Sequence, residues 1–201
     1  MMRPEYEYYV DSDRIFDIQN PEQRYMETGE GMYYYPLIPV YSDPPDIGMI
    51  AASLAKTARF NGHGKFYSVA EHSCIMADIS NYPFTALMHD APEAFLGDVI
   101  RPVKVLLNKF KYCEELCFEY LADYYREHFL YPLPDEVERL DNLMVYNEGI
   151  KMGKRVENWG FKDKDCIENN PSLQKRIKFW DYKKAEKEFI KRFNRLFKQE
   201  E

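Results

Sequence analysis

From Asp46 onward the apolar residues of this chain recur at intervals of three and four, the period of helices that bury one face. Ile47, Ile50, Ala51, Leu54, Ala55 and Ala58 set the pattern, with Asp46 at the N-cap position. A second helix is expected from Ser68 to about Ile79, with Ser68 and Glu71 spaced as a capping box. A short helix follows from about Phe84 to Asp90, and Pro92 suits the first position of a new turn that puts Glu93 at a helix start. The longest helix is expected over residues 101 to 128, burying Val105, Leu106, Phe110, Cys113, Cys117, Tyr120, Leu121 and Tyr124. After the break at Tyr131, Pro132, Leu133 and Pro134, a helix runs from Asp135 to about Lys154. A last one runs from about Asp181 to Lys198 on Ala185, Phe189, Phe193 and Leu196.

Residues 1 to 24 lack helical period, and residues 25 to 45 alternate glycines, prolines and tyrosines in short extended runs. The expected fold class is therefore all-α, a helical bundle with a short N-terminal extended arm or β-hairpin. Residues 1–45 form the arm or hairpin, packed on the helical part at 46–201, and the 201 residues suit a single domain.

Composition narrows the class of partner. The net charge of −7 disfavours binding to a nucleic acid polymer. Charge is uneven, however, with three basic and ten acidic side chains in residues 1–47 against ten basic and five acidic in residues 171–201. The basic tail reads as a solvated helical face, with docking on a partner as the alternative. No long apolar run of membrane-spanning length exists, and the acidic, tyrosine-rich start MMRPEYEYYVDSD does not read as a secretory signal. Cys74, Cys113, Cys117 and Cys166 lack the spacing of a zinc ribbon or disulfide framework and read as reduced core thiols of a cytoplasmic protein.

Against this background His72, His89, Asp90 and Asp141 have the types needed to hold a divalent cation. Two imidazoles and two carboxylates leave open positions on an octahedral ion, as hydrolysis requires. Mixed nitrogen and oxygen ligation suits Mn, Co, Fe, Ni or Zn, while Mg stays open as an alternative. His63, His72 and His89 also lie within 27 residues of a chain with only four histidines. Glu93 and Asp98 follow closely as a pair of carboxylates. One can orient or deprotonate water and the other can protonate a leaving oxygen. The plainer alternative makes them helix-terminal groups, Glu93 compensating an N-terminus and Asp98 capping the next helix.

RFNGHGKFYSVAEHS (59–73), ALMHDAPEAFLGD (86–98) with Arg101, Pro102 and Lys104, and VERLDNLMVYNEG (137–149) together resemble the HD-domain metal-dependent phosphohydrolases. The chain looks like their 5′-deoxynucleotidase branch, and particularly its phage-encoded dATP triphosphohydrolases, over about Thr28 to Met152. The resemblance implies that His72, His89, Asp90 and Asp141 bind the catalytic metal, that Glu93 stands beside the nucleophilic water, and that Asp98 is the second catalytic acid. It also implies that Arg59 grips a substrate phosphate and Phe60 lies against base or sugar. Guanidinium geometry and aromatic stacking fit those roles, with core packing the alternative for Phe60. Lys65 and Lys104 could add positive charge or be surface lysines, and His63 could touch phosphate or shape the glycine loop. Leu140 departs from the small residue usual before the aspartate.

The expected activity is attack at the α-phosphorus of deoxynucleotides, dATP foremost and also dADP and dAMP, giving deoxyadenosine and (tri)phosphate. The alternatives are a general 5′-deoxynucleotidase on deoxynucleoside monophosphates and a catalytically silent nucleotide-binding HD regulator. A deoxynucleotide substrate, a homo-oligomer, no membrane, and the cytoplasm (the host's, for a phage-encoded protein) complete the expectation.

Overall fold

A computed structural model describes residues 26–36, 39, 42–125, 128–159 and 167–197. The fold is all-α with one short hairpin. Strands β1 (Met26–Glu27) and β2 (Tyr33–Tyr34) pair antiparallel, Met26 opposite Tyr34. The expected hairpin is thus present at residues 26–34, while the expectations for residues 1–24 and for Cys166 lie outside the described residues. The hairpin docks through Tyr34, which is buried and stacked on Phe95 with ring centroids 4.2 Å apart.

Helix α1 (Ile47–Lys56) starts where the Asp46 carboxylate accepts the Met49 N–H at 2.7 Å. Helix α2 (Val69–Ile79) starts at Ser68, whose hydroxyl accepts from the Glu71 N–H. The expected reciprocal half of that capping box is absent. Glu71 turns its carboxylate to the backbone N–H groups of Lys178, Phe179 and Trp180 at 2.6, 3.1 and 2.6 Å. Three aligned donors satisfy a buried carboxylate better than the single N–H of an N-cap could.

Three short helices follow: α3 (Pro83–Met88), α4 (Glu93–Leu96) and α5 (Arg101–Lys104). Then come α6 (Asn108–Tyr124), α7 (Asp135–Lys151), α8 (Pro171–Arg176) and α9 (Tyr182–Phe197). The helix expected over 101–128 is therefore broken at 105–107, where Leu107 leaves the helical region at φ −115°, ψ 72°. Val105 and Leu106 are 69% and 78% exposed and Tyr124 is 54% exposed, so they do not join the buried stripe of Leu116, Cys117 and Leu121. Val103 and Val105 are weak helix formers, and without core beneath residues 105–107 nothing outweighs that propensity. Helix α8 lies outside the helices that the apolar period predicts, and Asn170 caps it by accepting from Ser172 and Leu173 N–H groups.

Helix α2 is the axis of the molecule. One side packs in a cluster with α1, α3, α6 and α9, centred on Leu54, Leu87, Leu121 and Phe189. Its other side, through Ile75 and Met76, packs with Tyr67, Val137, Met144 and Leu173. A helix covered all round needs no polar face, and any polar group on it requires an internal partner. Cys74 and Cys117 are free and buried, as expected, and Cys113 is half-buried. Among the described residues no helix is long and apolar enough to cross a membrane.

Candidate metal centre

Burial of α2 brings His72 into the interior with its ring fully enclosed. His89 and Asp90 lie in the turn leaving α3, and Asp141 projects from α7, so three separate segments meet. Nε2 of His72 lies 3.2 Å from Nε2 of His89, 3.2 Å from Asp141 Oδ1 and 3.6 Å from Asp90 Oδ2. Nε2 of His89 lies 3.4 Å from Asp90 Oδ2 and 3.9 Å from Asp141 Oδ1. His72, His89 and Asp141 thus form a buried cluster able to bind a metal, with ligand atoms within 4.8 Å of one another.

The outer nitrogens explain why the inner ones point inward. His89 Nδ1 donates to the Ala86 carbonyl at 2.8 Å, and His72 Nδ1 donates to Glu148 Oε1 at 2.6 Å. Each ring is left with Nε2 facing the cluster, the arrangement in which histidine ligates metals. Asp141 Oδ1 is buried without a hydrogen-bond partner of its own, which fits an oxygen intended for a cation.

The charges fall into two groups. Burial and the Arg59 guanidinium press the His72 imidazolium down, yet the carboxylates of Glu148 and Asp141 outweigh them and raise its pKa to about 9. Burial works against ionisation of Asp141, but contacts with His72 and His89 hold it well below the usual aspartate value. Glu148 is likewise held low, Arg59 and His72 overcoming its burial. The cluster is an electron-rich socket that attracts positive charge.

Glu93 behaves in the opposite way. Burial, reinforced by Asp90 and Asp98, pushes its carboxyl far above the usual range, and its Oε2 is enclosed without a hydrogen-bond partner. Asp98 is also raised, chiefly by burial, with Arg59 opposing and Asp90 adding to it. Position Ile100, not Asp98, precedes α5, and α5 has no side-chain cap.

Arg59 meets the cluster from the turn after α1. Its Nε donates to Glu148 Oε2 at 3.1 Å, one terminal nitrogen donates to Asp90 Oδ2 at 3.1 Å, and the other lies 3.8 Å from Asp141 Oδ1. Its guanidinium is engaged by the carboxylates of Glu148, Asp90 and Asp141. Phe60 and Asn61 beside it sit in the left-handed region at φ 57° and 52°. Such strain persists where surrounding contacts hold it: the Phe60 ring lies 5.9 Å from Trp159 and 5.1 Å from the Lys154 ammonium. Lys154 also donates to the His63 carbonyl. Lys104 donates to Glu114 at 2.6 Å, while the Lys65 ammonium lies over the Phe179 ring. His63 and Lys65 are exposed.

Glu148 and Tyr67 join the site beyond the residues expected from the sequence. Tyr67 donates to Glu148 Oε1 at 2.8 Å. The available signal was spacing, since Glu148 follows Asp141 by seven residues, two turns along the same face of α7.

No family model matches the chain. It is 38% identical over 94 residues to YfdR of Escherichia coli, an uncharacterized protein, the match covering 45% of this chain and 52% of YfdR. It is 42% identical over 80 residues to an uncharacterized protein of Rhodobacter capsulatus, covering 33% of this chain and 41% of that protein. The chain thus spans about half the length, or less, of these curated relatives.

Proposed function

We propose that the chain is a cytoplasmic, metal-dependent phosphohydrolase of the HD type that cleaves at the α-phosphorus of a deoxynucleotide. Its foremost substrate is dATP, with dADP and dAMP cleaved at the same bond. The observation that carries this reading is the convergence of inward-facing His72 and His89 nitrogens with Asp90 and Asp141 oxygens at 3.2 to 3.9 Å, in a buried socket beside a raised-pKa Glu93. The choice of deoxyadenine rests on the resemblance of the motifs.

A divalent cation held by His72, His89, Asp90 and Asp141 would lower the pKa of water and polarise a phosphoryl oxygen. The rest falls to side chains of the chain itself. Glu93, whose carboxyl burial, Asp90 and Asp98 push well above the usual range, is in its ionised form a stronger base than an ordinary glutamate and can take a proton from the attacking water. The bond between the α-phosphorus and the deoxyribose 5′ oxygen breaks, water supplies the new phosphate oxygen, and Asp98 protonates the departing 5′ oxygen. Arg59, at the edge of the cluster, orients the phosphate by its planar fork.

The test is incubation of the purified protein with each deoxynucleoside triphosphate and monophosphate under Co, Mn and Mg. Deoxyadenosine release is expected to be fastest with dATP. Equal release from all monophosphates would identify a general 5′-deoxynucleotidase instead, and no nucleoside from any substrate would overturn the enzyme reading.

A further inference from the structure

We infer that Glu148 is a positioning residue that couples the metal pole of the site to its phosphate pole. The inference rests on the metal-dependent reading above and adds a residue to it. Glu148 has no exposed surface, and its two oxygens serve different groups. Oε1 accepts from His72 Nδ1 at 2.6 Å and from the Tyr67 hydroxyl at 2.8 Å, while Oε2 accepts from Arg59 Nε at 3.1 Å.

An ionised carboxylate only accepts, so the Nδ1 proton of His72 is committed to Glu148, and Nε2 is the nitrogen that faces Asp141 and His89 and would give its lone pair to a cation that displaces its proton. The same carboxylate fixes the near end of the Arg59 guanidinium. The terminal nitrogens are thereby carried to Asp90 at 3.1 Å and toward Asp141 at 3.8 Å. A carboxylate serving only as counter-ion to Arg59 would have no need of the short bond to His72, whose length is that of a charge-assisted contact.

Glu148 is itself held on both sides. Asn147 is buried, donates to the carbonyls of Leu143 and Glu168, and accepts from Asn170 N–H and the Gln174 amide. Gly149 leaves room for Trp159 and Val156, whose atoms lie 2.5 Å from where a Cβ would stand. That turn of α7 is clamped against the segment after it, so the carboxylate is presented from a rigid support.

Two variants of the full chain test this, Glu148→Gln and Tyr67→Phe, with Co(II) affinity read by calorimetry and folding checked by circular dichroism. Outer-shell partners of metal-bound histidines typically contribute 10- to 100-fold in affinity, so Glu148→Gln should weaken Co(II) binding by about that factor. Tyr67→Phe should weaken it several-fold less. At saturating Co(II), Glu148→Gln should also bind inorganic phosphate more weakly, because Arg59 loses its anchor. Wild-type protein that binds no Co(II) would sink the metal-dependent reading itself. Co(II) binding by wild type with Glu148→Gln within twofold of it would overturn this inference alone, and unchanged phosphate affinity would overturn the coupling. Should Glu148→Gln not fold, Glu148→Asp and Tyr67→Phe decide, and wild-type Co(II) affinity in both would overturn the proposal.

Discussion

Two sets of carboxylates lie within one site and are held in opposite states. Asp141 and Glu148 face histidines and an arginine, which keep them ionised despite burial. Glu93 has Asp90 and Asp98 for neighbours, and burial together with them pushes its carboxyl well above the usual range. All three are carboxyl groups, and Glu93 and Glu148 are both buried, so what differs between those two is the company each keeps. One pole is thereby suited to holding a cation and the other to moving a proton, the division that acid–base enzymes achieve by pushing apart the pKa values of neighbouring groups.

The largest effect should come from striking the ligand pole. His72→Ala removes one of two imidazoles and is expected to abolish both Co(II) binding and nucleoside release. Retained metal binding, measured by calorimetry, would mean that the socket is not built as described. Glu93→Gln strikes the other pole. It should leave Co(II) affinity within about twofold of wild type while turnover falls by about 10²- to 10⁴-fold, the usual contribution of a positioned acid or base. Loss of the metal in that variant would erase the distinction between the poles.

A third substitution moves only the support of the ligand pole. Gly149→Ala places a methyl group where Trp159 and Val156 already stand at 2.5 Å, and should cost about 1–3 kcal/mol in a denaturant titration. Weakened Co(II) binding is expected to accompany it, because Glu148 is the preceding residue.

The smallest effect is in pH dependence, measured on chelator-treated protein. The depressed groups, Asp141 and Glu148, stabilise the fold above the ordinary carboxylate range, and that contribution is lost as pH falls through their lowered values. Glu93 has the opposite sign. The native state holds its proton more tightly than the unfolded chain does, so stability declines as pH rises from about 4.5 toward the raised value. Glu93→Gln should remove that decline, lifting the melting temperature relative to wild type by a few degrees on the alkaline side, at about 2–4 °C per kcal/mol. Parallel melting curves across pH would contradict the assignment of Glu93 as the protonated group.

What could be read from the sequence was local. Asp46 and Ser68 announce helix starts through side chains that act within three residues, and the structure has both caps. Asp90 and His89 are adjacent, and His72 shares their neighbourhood, so most of the cluster was visible as a histidine-rich stretch. The partner of Glu71 lies 107 residues away at Lys178, and no local rule links them. Glu148 is not legible as a site residue, because a glutamate in a helix is ordinarily solvated and only the packing of α7 against α2 turns this one inward. The break at 105–107 was hidden for a related reason: apolar period implies a buried stripe only where core exists to receive it.

The bonds from Glu71 to Lys178, Phe179 and Trp180 tie the entry of α9 to the residue beside His72. The C-terminal helix is consequently not an appendage that can be trimmed. Cutting the chain between α8 and α9 would strand a buried carboxylate one position from His72, so a shortened form should lose the His72, His89 and Asp141 cluster as it loses its fold, and the smallest portable version of that cluster includes residues at least as far as α9.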